Sequence, residues 1–571
     1  MPSPKCNYVP TPVARVEWIL LVVAATVLVG FRLHAFDLPL ENDECNYAYI
    51  AGRLLAGERL YVDVWDHQPP GVFVLYAGAI NLFGESPNAF RCMTAGFALT
   101  CLVLVFLFVR RIAGPIAALG AAFLYAVVSS DPGSAGEGCN REIYMNAMIL
   151  GAWYCGRRGI DDRRSWKLAA AGLLLAFASC VKTIAAVHWI VLACWIVGVT
   201  ARNDGHNRTP RAIQRFILFA SPPALLWLAV YAYFLASGRA GEFIDAVFRF
   251  NLSYSGADTS FFHRFAQFFS PPRHRGIFDS AAPLWIAGLF ATIWLTVASI
   301  RTRDQNGALV VLLVLAGFVA ICLPGRFWPH YYHLLIPPLV IATAVGCGRF
   351  TARHPARSEG VEAADRYANC VSAAEVPGRW RRRMSIGVGA LIVAATLATQ
   401  YQHYLSRPPF GITVHRYNSR DFWGRAQGEN VRRVTDPNDT IFVYGNDAEI
   451  YYYAQRRCAS RFTMITGIQS VYAGADKRRR IMMDELRANP PRLIIVLFDE
   501  PPFDEWLAFL RWHYGDPVGW DFHDRRREAI MCVQVRRDAP IESIDWNWDR
   551  EQVGGWFPGE EPARGLRNVE E

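Results

Sequence analysis

The 571-residue sequence has no C-x-x-C spacing, and its 13 cysteines stand singly along the chain. That absence excludes the common cysteine-based zinc sites. Cys101, Cys194 and Cys322 lie inside apolar stretches and read as small core-filling side chains. Cys45 with Cys139, and Cys458 with Cys532, are left open as pairs should they face an oxidising compartment. No small-x-small cleavage site follows the first apolar run, so that run is expected to stay as a membrane helix. No repeat at solenoid spacing is present. A basic recognition domain is missing too: the net charge is +9, but the basic residues stand between apolar segments, so no nucleic-acid partner is expected.

What is there is apolar surface. Hydrophobic residues make up 52% of the chain and aromatics 13%, more than one soluble core of this size can hide. Apolar stretches near the length that crosses a hydrocarbon layer of about 30 Å recur as far as residue 400. Hydropathy predicts about eleven spans, at 18–33, 92–109, 112–129, 143–155, 168–181, 183–201, 216–236, 281–300, 308–323, 331–348 and 385–400. Basic residues concentrate in alternate loops: Arg110 and Arg111; Arg157, Arg158, Arg163 and Arg164; Arg202, Arg208, Arg211 and Arg215; Arg379, Arg381, Arg382 and Arg383. The positive-inside rule then sets the N-terminus in the cytoplasm and leaves 34–91, 130–142 and the tail outside an inner (plasma) membrane. The run 71–83 is short and follows two prolines, which predicts an interfacial or re-entrant helix.

The tail changes character. β-Branched runs at 441–445 and 492–498 read as strands, with helices at 447–455 and 476–488 beside them. The expected fold is thus an α-helical polytopic membrane protein with a small C-terminal α/β domain. Residues 1–402 form the transmembrane domain, with outer loop 34–91, and 403–571 form the outer soluble domain.

Chemistry concentrates after the first span. Asp43 is placed to cap the amphipathic run Tyr47, Ile50, Ala51, Leu54 and Leu55, which Gly57 stops. The alternative reading makes Asp43 a carboxylate general base for an acceptor hydroxyl. In the tail, the stretch holding Asp447 and Glu449 reads as a strand-to-helix connection rather than an active loop.

The order Asp43, Glu44, Tyr47, Ala51, Gly57, Tyr61, Asp66, Pro69, Pro70, Gly71, Phe83, Gly84, Ser86 and Arg91 resembles the dolichyl-phosphate-mannose protein mannosyltransferase and aminoarabinose transferase family of C-type glycosyltransferases. The likeness continues to Glu142, Lys182 and the stretch 326–339. It implies a C-type glycosyltransferase fold and catalytic acids at Asp43, Glu44 and Glu142. It also implies a polyprenyl-phosphate sugar donor and inverting transfer to a lipid, polysaccharide or protein hydroxyl. Lys182, Arg326 and His330 stand at outer span ends, where cations suit a leaving lipid phosphate. Tyr61, Asp66, His67 and Gln68 form the expected substrate loop, in which His67 stands one position earlier than the basic residue many family members place before the double proline. No cofactor is expected; three carboxylates would suit a divalent metal, but their spacing does not demand one.

Two other function classes fit the topology. A transporter would place its ionisable residues at mid-span, where this chain has few. An outer-face glycan ligase or polymerase would use arginines and histidines of one long loop, and 237–280 holds Arg239, Arg249, His263, Arg264, Arg273, His274 and Arg275.

Overall fold

The structure is a computed structural model that describes residues 13–162, 164–203, 208–255, 260–269, 275–350, 379–401, 420–497, 502–516, 519–522 and 529–538. Arg163, Arg273 and His274 lie outside the described residues. The chain divides into two compact units, Met1–Phe36 with Gln68–Ser406, and Asp37–His67 with Arg407–Glu571. The expected boundary at 402/403 thus compares with a division after Ser406, and Asp37–His67 of the expected outer loop 34–91 groups with the tail.

In chain order the main helices are α1 (Arg15–Arg32), α2 (Asn42–Leu55), α3 (Pro70–Phe83), α4 (Pro87–Ala113), α5 (Pro115–Val128), α6 (Arg141–Asp161), α7 (Ser165–Val181), α8 (Ala186–Asn203) and α9 (Arg208–Ala236). After short helical segments come α10 (Ala282–Thr302), α11 (Gln305–Cys322), α12 (Ile336–Phe350), α13 (Arg379–Tyr401), α14 (Arg420–Val434), α15 (Glu449–Ala454), α16 (Ala475–Ala488) and α17 (Asp504–His513). Every expected span falls on one of the helices of the first unit.

Among the described residues, eight helical stretches are long and apolar enough to cross a membrane, and the chain is a multi-pass membrane protein. Helices α3, α5 and α7 are apolar but shorter. At 14 residues α3 extends only about 21 Å, less than a hydrocarbon core. Punctuation in the sequence sets the ends. Ser86 caps α4 by accepting from the Ala89 amide at 3.3 Å, and Gly114, at φ +85°, closes α4 so that Pro115 can open α5.

The basic residues expected on the cytoplasmic side enter ion pairs at helix ends. Arg110 reaches Glu17 of α1 at 2.6 Å, while Arg111 meets Asp161 at 2.9 Å and Asp162 at 3.0 Å. Arg157 pairs with Asp161, and Arg349 with Asp304. Basic side chains there tie helix ends together.

The second unit is built on a five-stranded mixed sheet in the order β2-β1-β3-β5-β4. Its strands are β1 (Thr440–Tyr444), β2 (Arg457–Cys458), β3 (Leu493–Leu497), β4 (Gly519–Phe522) and β5 (Ala529–Val535). Strand β1 pairs parallel with β2 and with β3, and β5 runs antiparallel to both β3 and β4. Every residue of β3 is buried, as its continuous apolar run requires of a central strand. Cys458 and Cys532 are free, because β1 and β3 separate their strands and neighbouring strands lie about 4.8 Å apart.

Candidate active site

In the second unit the start of α2 corrects the expected cap. The N-cap is Glu41, and Glu44, three residues on, accepts the Glu41 amide at 3.3 Å. Capping therefore falls to Glu41 and Glu44, and Asp43 sits within the first turn. Glu44 is buried, whereas Asp43 is half-buried and accepts a hydrogen bond from Tyr47 Oη, one turn along, at 3.1 Å. Two N-terminal carboxylates also favour the positive end of the helix dipole. The helix stops as expected, with Gly57 at φ +93°.

Tyr61 is buried at φ 69° in a tight turn, its amide donating to the Val64 carbonyl at 2.7 Å. Asp66 is buried, accepts from Asn46 Nδ2 at 2.6 Å, and stands 3.3 Å from His67 Nδ1. Asp447 lies in the connection from β1 to α15 and Glu449 opens that helix, in keeping with the strand-to-helix reading of the sequence.

In the first unit the structure brings Glu142 and Lys182 together. Glu142 stands in the first turn of α6, where a carboxylate suits the helix dipole. Lys182 caps the C-terminus of α7, where a cation suits it, and a short 3-10 turn follows before α8. Lys182 Nζ donates to Glu142 Oε1 at 2.6 Å and lies 3.5 Å from the Tyr331 ring centroid. Both partners are buried, and Glu142 Oε2 accepts no hydrogen bond among the described residues. Arg141 and His330 also act electrostatically on Glu142. The Glu142 carboxylate thus sits among groups of opposite charge.

The Pro69–Pro70–Gly71 turn reaches the same place. A Cβ at Gly71 would lie 2.5 Å from the Cys180 carbonyl oxygen, two residues before Lys182. Only glycine lets the start of α3 approach the end of α7 so closely. Gln68, just before the prolines, is buried in this unit.

Arg326 takes a different place from Lys182. It donates to the Tyr254 carbonyl at 2.8 and 3.2 Å and stacks 4.4 Å from that residue's ring centroid. His333, near it in sequence, is a buried staple: Nδ1 accepts from Asn146 at 3.0 Å and Nε2 donates to the Ser129 carbonyl at 3.1 Å. Within the loop that suggested a ligase, Arg239 stacks on Tyr233 and Phe234, and Arg264 donates to the Leu323 carbonyl at 2.6 Å. Among the described residues no three His, Cys, Asp or Glu side chains are grouped to hold a metal ion.

Sequence reasoning missed the polar residues around these acids. Asn42 accepts from the Ala448 amide at 3.0 Å and donates to the Asn446 carbonyl, and Asn46 bonds both Asp66 and Thr463. The signal was present as two asparagines one helical turn apart, on a face that the apolar pattern of α2 left polar.

Residues 67–227 match the family described as Dolichyl-phosphate-mannose-protein mannosyltransferase. The chain is similar to ArnT from Cupriavidus metallidurans bound to undecaprenyl phosphate, at a TM-score of 0.55 and 16% identity over 92% of this chain and 100% of that one. The same protein in the apo state gives 0.53 and 15%, over 91% and 98%. An Archaeoglobus fulgidus oligosaccharyltransferase in complex with Zn and sulfate gives 0.51 and 12%, over 92% of this chain and 74% of that one. No curated protein sequence matches. This chain shares the fold of the ArnT structure, as its ordered motifs led one to expect.

Proposed function

We propose that the chain is a membrane glycosyltransferase that moves a sugar from a polyprenyl-phosphate carrier to a hydroxyl acceptor with inversion. Asp43 takes the proton of the acceptor hydroxyl. The acceptor oxygen bonds to the anomeric carbon as the bond from that carbon to the phosphate oxygen breaks, and the electron pair leaves on the lipid phosphate. Lys182, with Arg141 and His330 near it, steadies that growing charge, and Glu142 holds Lys182 in place. Arg326 serves the donor from a separate position, and Tyr61, Asp66, His67 and Gln68 shape the substrate loop. The acceptor is a cell-envelope glycan, a lipid or a protein hydroxyl, met on the outer face of an inner membrane with the N-terminus in the cytoplasm. The division of labour places transfer chemistry with residues 1–402 and outer-face support with 403–571.

The observation that carries this reading is Lys182, buried at a helix break beneath the prolines, 2.6 Å from Glu142. A buried ion pair is a costly way to gain stability, and it stands where the chain matches a family that uses lipid-phosphate sugars. The test is transfer by purified protein in proteoliposomes from polyprenyl phosphates carrying a labelled hexose, pentose or uronic acid. Label should move from at least one donor into an extracted acceptor pool, and free polyprenyl phosphate should appear in equal amount. Sugar-lipid moved across the bilayer with the glycosidic bond intact would mean a transporter instead.

A further inference from the structure

Helix α2 presents two different faces. At 100° per residue, Asn42, Asn46 and Tyr49 share one side, and Asp43 and Tyr47 share a neighbouring side. The first side is bound along its length by the α/β tail. Asn42 takes the Ala448 amide, Thr463 Oγ1 donates to Asn46 Oδ1 at 2.6 Å, and Tyr49 Oη accepts from the Cys458 amide at 2.9 Å. The segment carrying Asp66 is strapped down beside it. The Trp65 amide donates to the Arg461 carbonyl at 2.9 Å, its ring packs on Phe462 at 5.4 Å, and Gly467 is a glycine because a Cβ there would lie 2.6 Å from that ring.

Asn46 joins these two grips. Its amide accepts from Thr463 with oxygen and donates to Asp66 with nitrogen, at 2.6 Å each, and Asp66 in turn holds His67 through Nδ1. Asn46 and Thr463 are 2% and 1% exposed, and Asp66 is 6%, so each lost partner would leave a buried polar group.

We propose that Asn46, backed by Thr463, is a positioning residue for glycosyl transfer: through it the α/β tail fixes the helix that carries Asp43 in register with the Asp66–His67 loop. An amide is suited to this place because it offers an acceptor oxygen to the hydroxyl and, on a separate atom, a donor nitrogen to the carboxylate in one short side chain. The inference gives the tail a role beyond shielding: it orders two catalytic segments that stand hundreds of residues away in sequence, and misplacement of about 1 Å is worth about 100-fold in rate. It rests on the reading of Asp43 as the base.

The experiment measures kcat and donor KM separately in full-length protein for Asn46→Leu, Thr463→Val and Thr463→Ser, with Asp43→Asn as reference. Asn46→Leu is expected to lower kcat about 100-fold. Thr463→Val should lower it several-fold with donor KM within twofold, and Thr463→Ser, which keeps the hydroxyl, should restore it. Should Asn46→Leu fail to fold, the valine and serine pair decides, since neither changes the packing much. Equal kcat in Thr463→Val and wild type overturns the proposal, as does a serine variant no better than valine. Failure of the underlying reading has its own signature, namely turnover by Asp43→Asn, and is scored apart from these variants.

Discussion

Helices α2 and α6 both begin with acids, and they use them in opposite ways. At the start of α2, Glu41 and Glu44 settle the backbone of the first turn, which leaves Asp43 half-buried with a tyrosine hydroxyl on its carboxylate. At the start of α6, Glu142 is wholly buried and bound to Lys182. In the proposed function the first carboxylate takes a proton and the second holds a cation still. Acid at a helix N-terminus is a common feature with a plain dipole explanation, so the difference in partners, not the shared position, assigns the roles.

That contrast is broken most directly at Asp43. Replacement by Asn keeps the shape and removes the base, and turnover should fall about 10²–10⁴-fold while the protein stays monodisperse. Near-normal transfer by Asp43→Asn would falsify the base assignment and shift weight to the arginines and histidines of 237–280. Lys182→Met comes next: losing one fixed positive group at a developing phosphate charge is worth about 10²–10³ in kcat.

The Glu142 side has a second, sharper form. Either single change, Glu142→Gln or Lys182→Met, leaves the other charge buried with its partner gone, at a cost of about 3–5 kcal/mol. The double variant removes both charges and should recover most of the thermal stability in detergent while remaining inactive. If the double variant were as unstable as either single one, Glu142 would be doing more than holding Lys182.

Much of this was legible in the sequence because the governing signals are local. Apolar runs gave every span a helix, and the β-branched runs at Ile441 and Leu493 became the two central parallel strands of the tail. The ordered acids and prolines pointed to the right fold. What was hidden depends on contacts between distant segments. Capping was one of the two readings of Asp43 because nothing local distinguishes it from Glu41, one of three nearby acids. Arg326, His330 and His333 are neighbours in sequence, yet Arg326 turns to Tyr254 and His333 to Asn146, which no spacing announces. Asn46 carried no motif; its weight comes from Thr463, 417 residues along the chain. Cys458 and Cys532 stay apart for a topological reason, since order in the sheet is not order in sequence. Burial pushes the Cys458 thiol up to about 12 and that of Cys532 to about 11, so neither should react with iodoacetamide at pH 8 until the domain unfolds.

The smallest expected effect is at Glu44, and it tests the comparison from the other side. Sequence alone made Glu44 a partner of Asp43 in catalysis, whereas its carboxylate turns back to the Glu41 amide. Glutamine serves that place nearly as well as glutamate, because the cap needs an acceptor and not a charge. Glu44→Gln should therefore keep kcat within a few-fold of wild type. Glu44→Ala, which loses the cap, should cost about 1 kcal/mol of stability. A large loss of kcat in the glutamine variant, at unchanged stability, would mean that the charge of Glu44 acts on the reaction. The start of α2 would then hold two chemical acids where the proposed function has one.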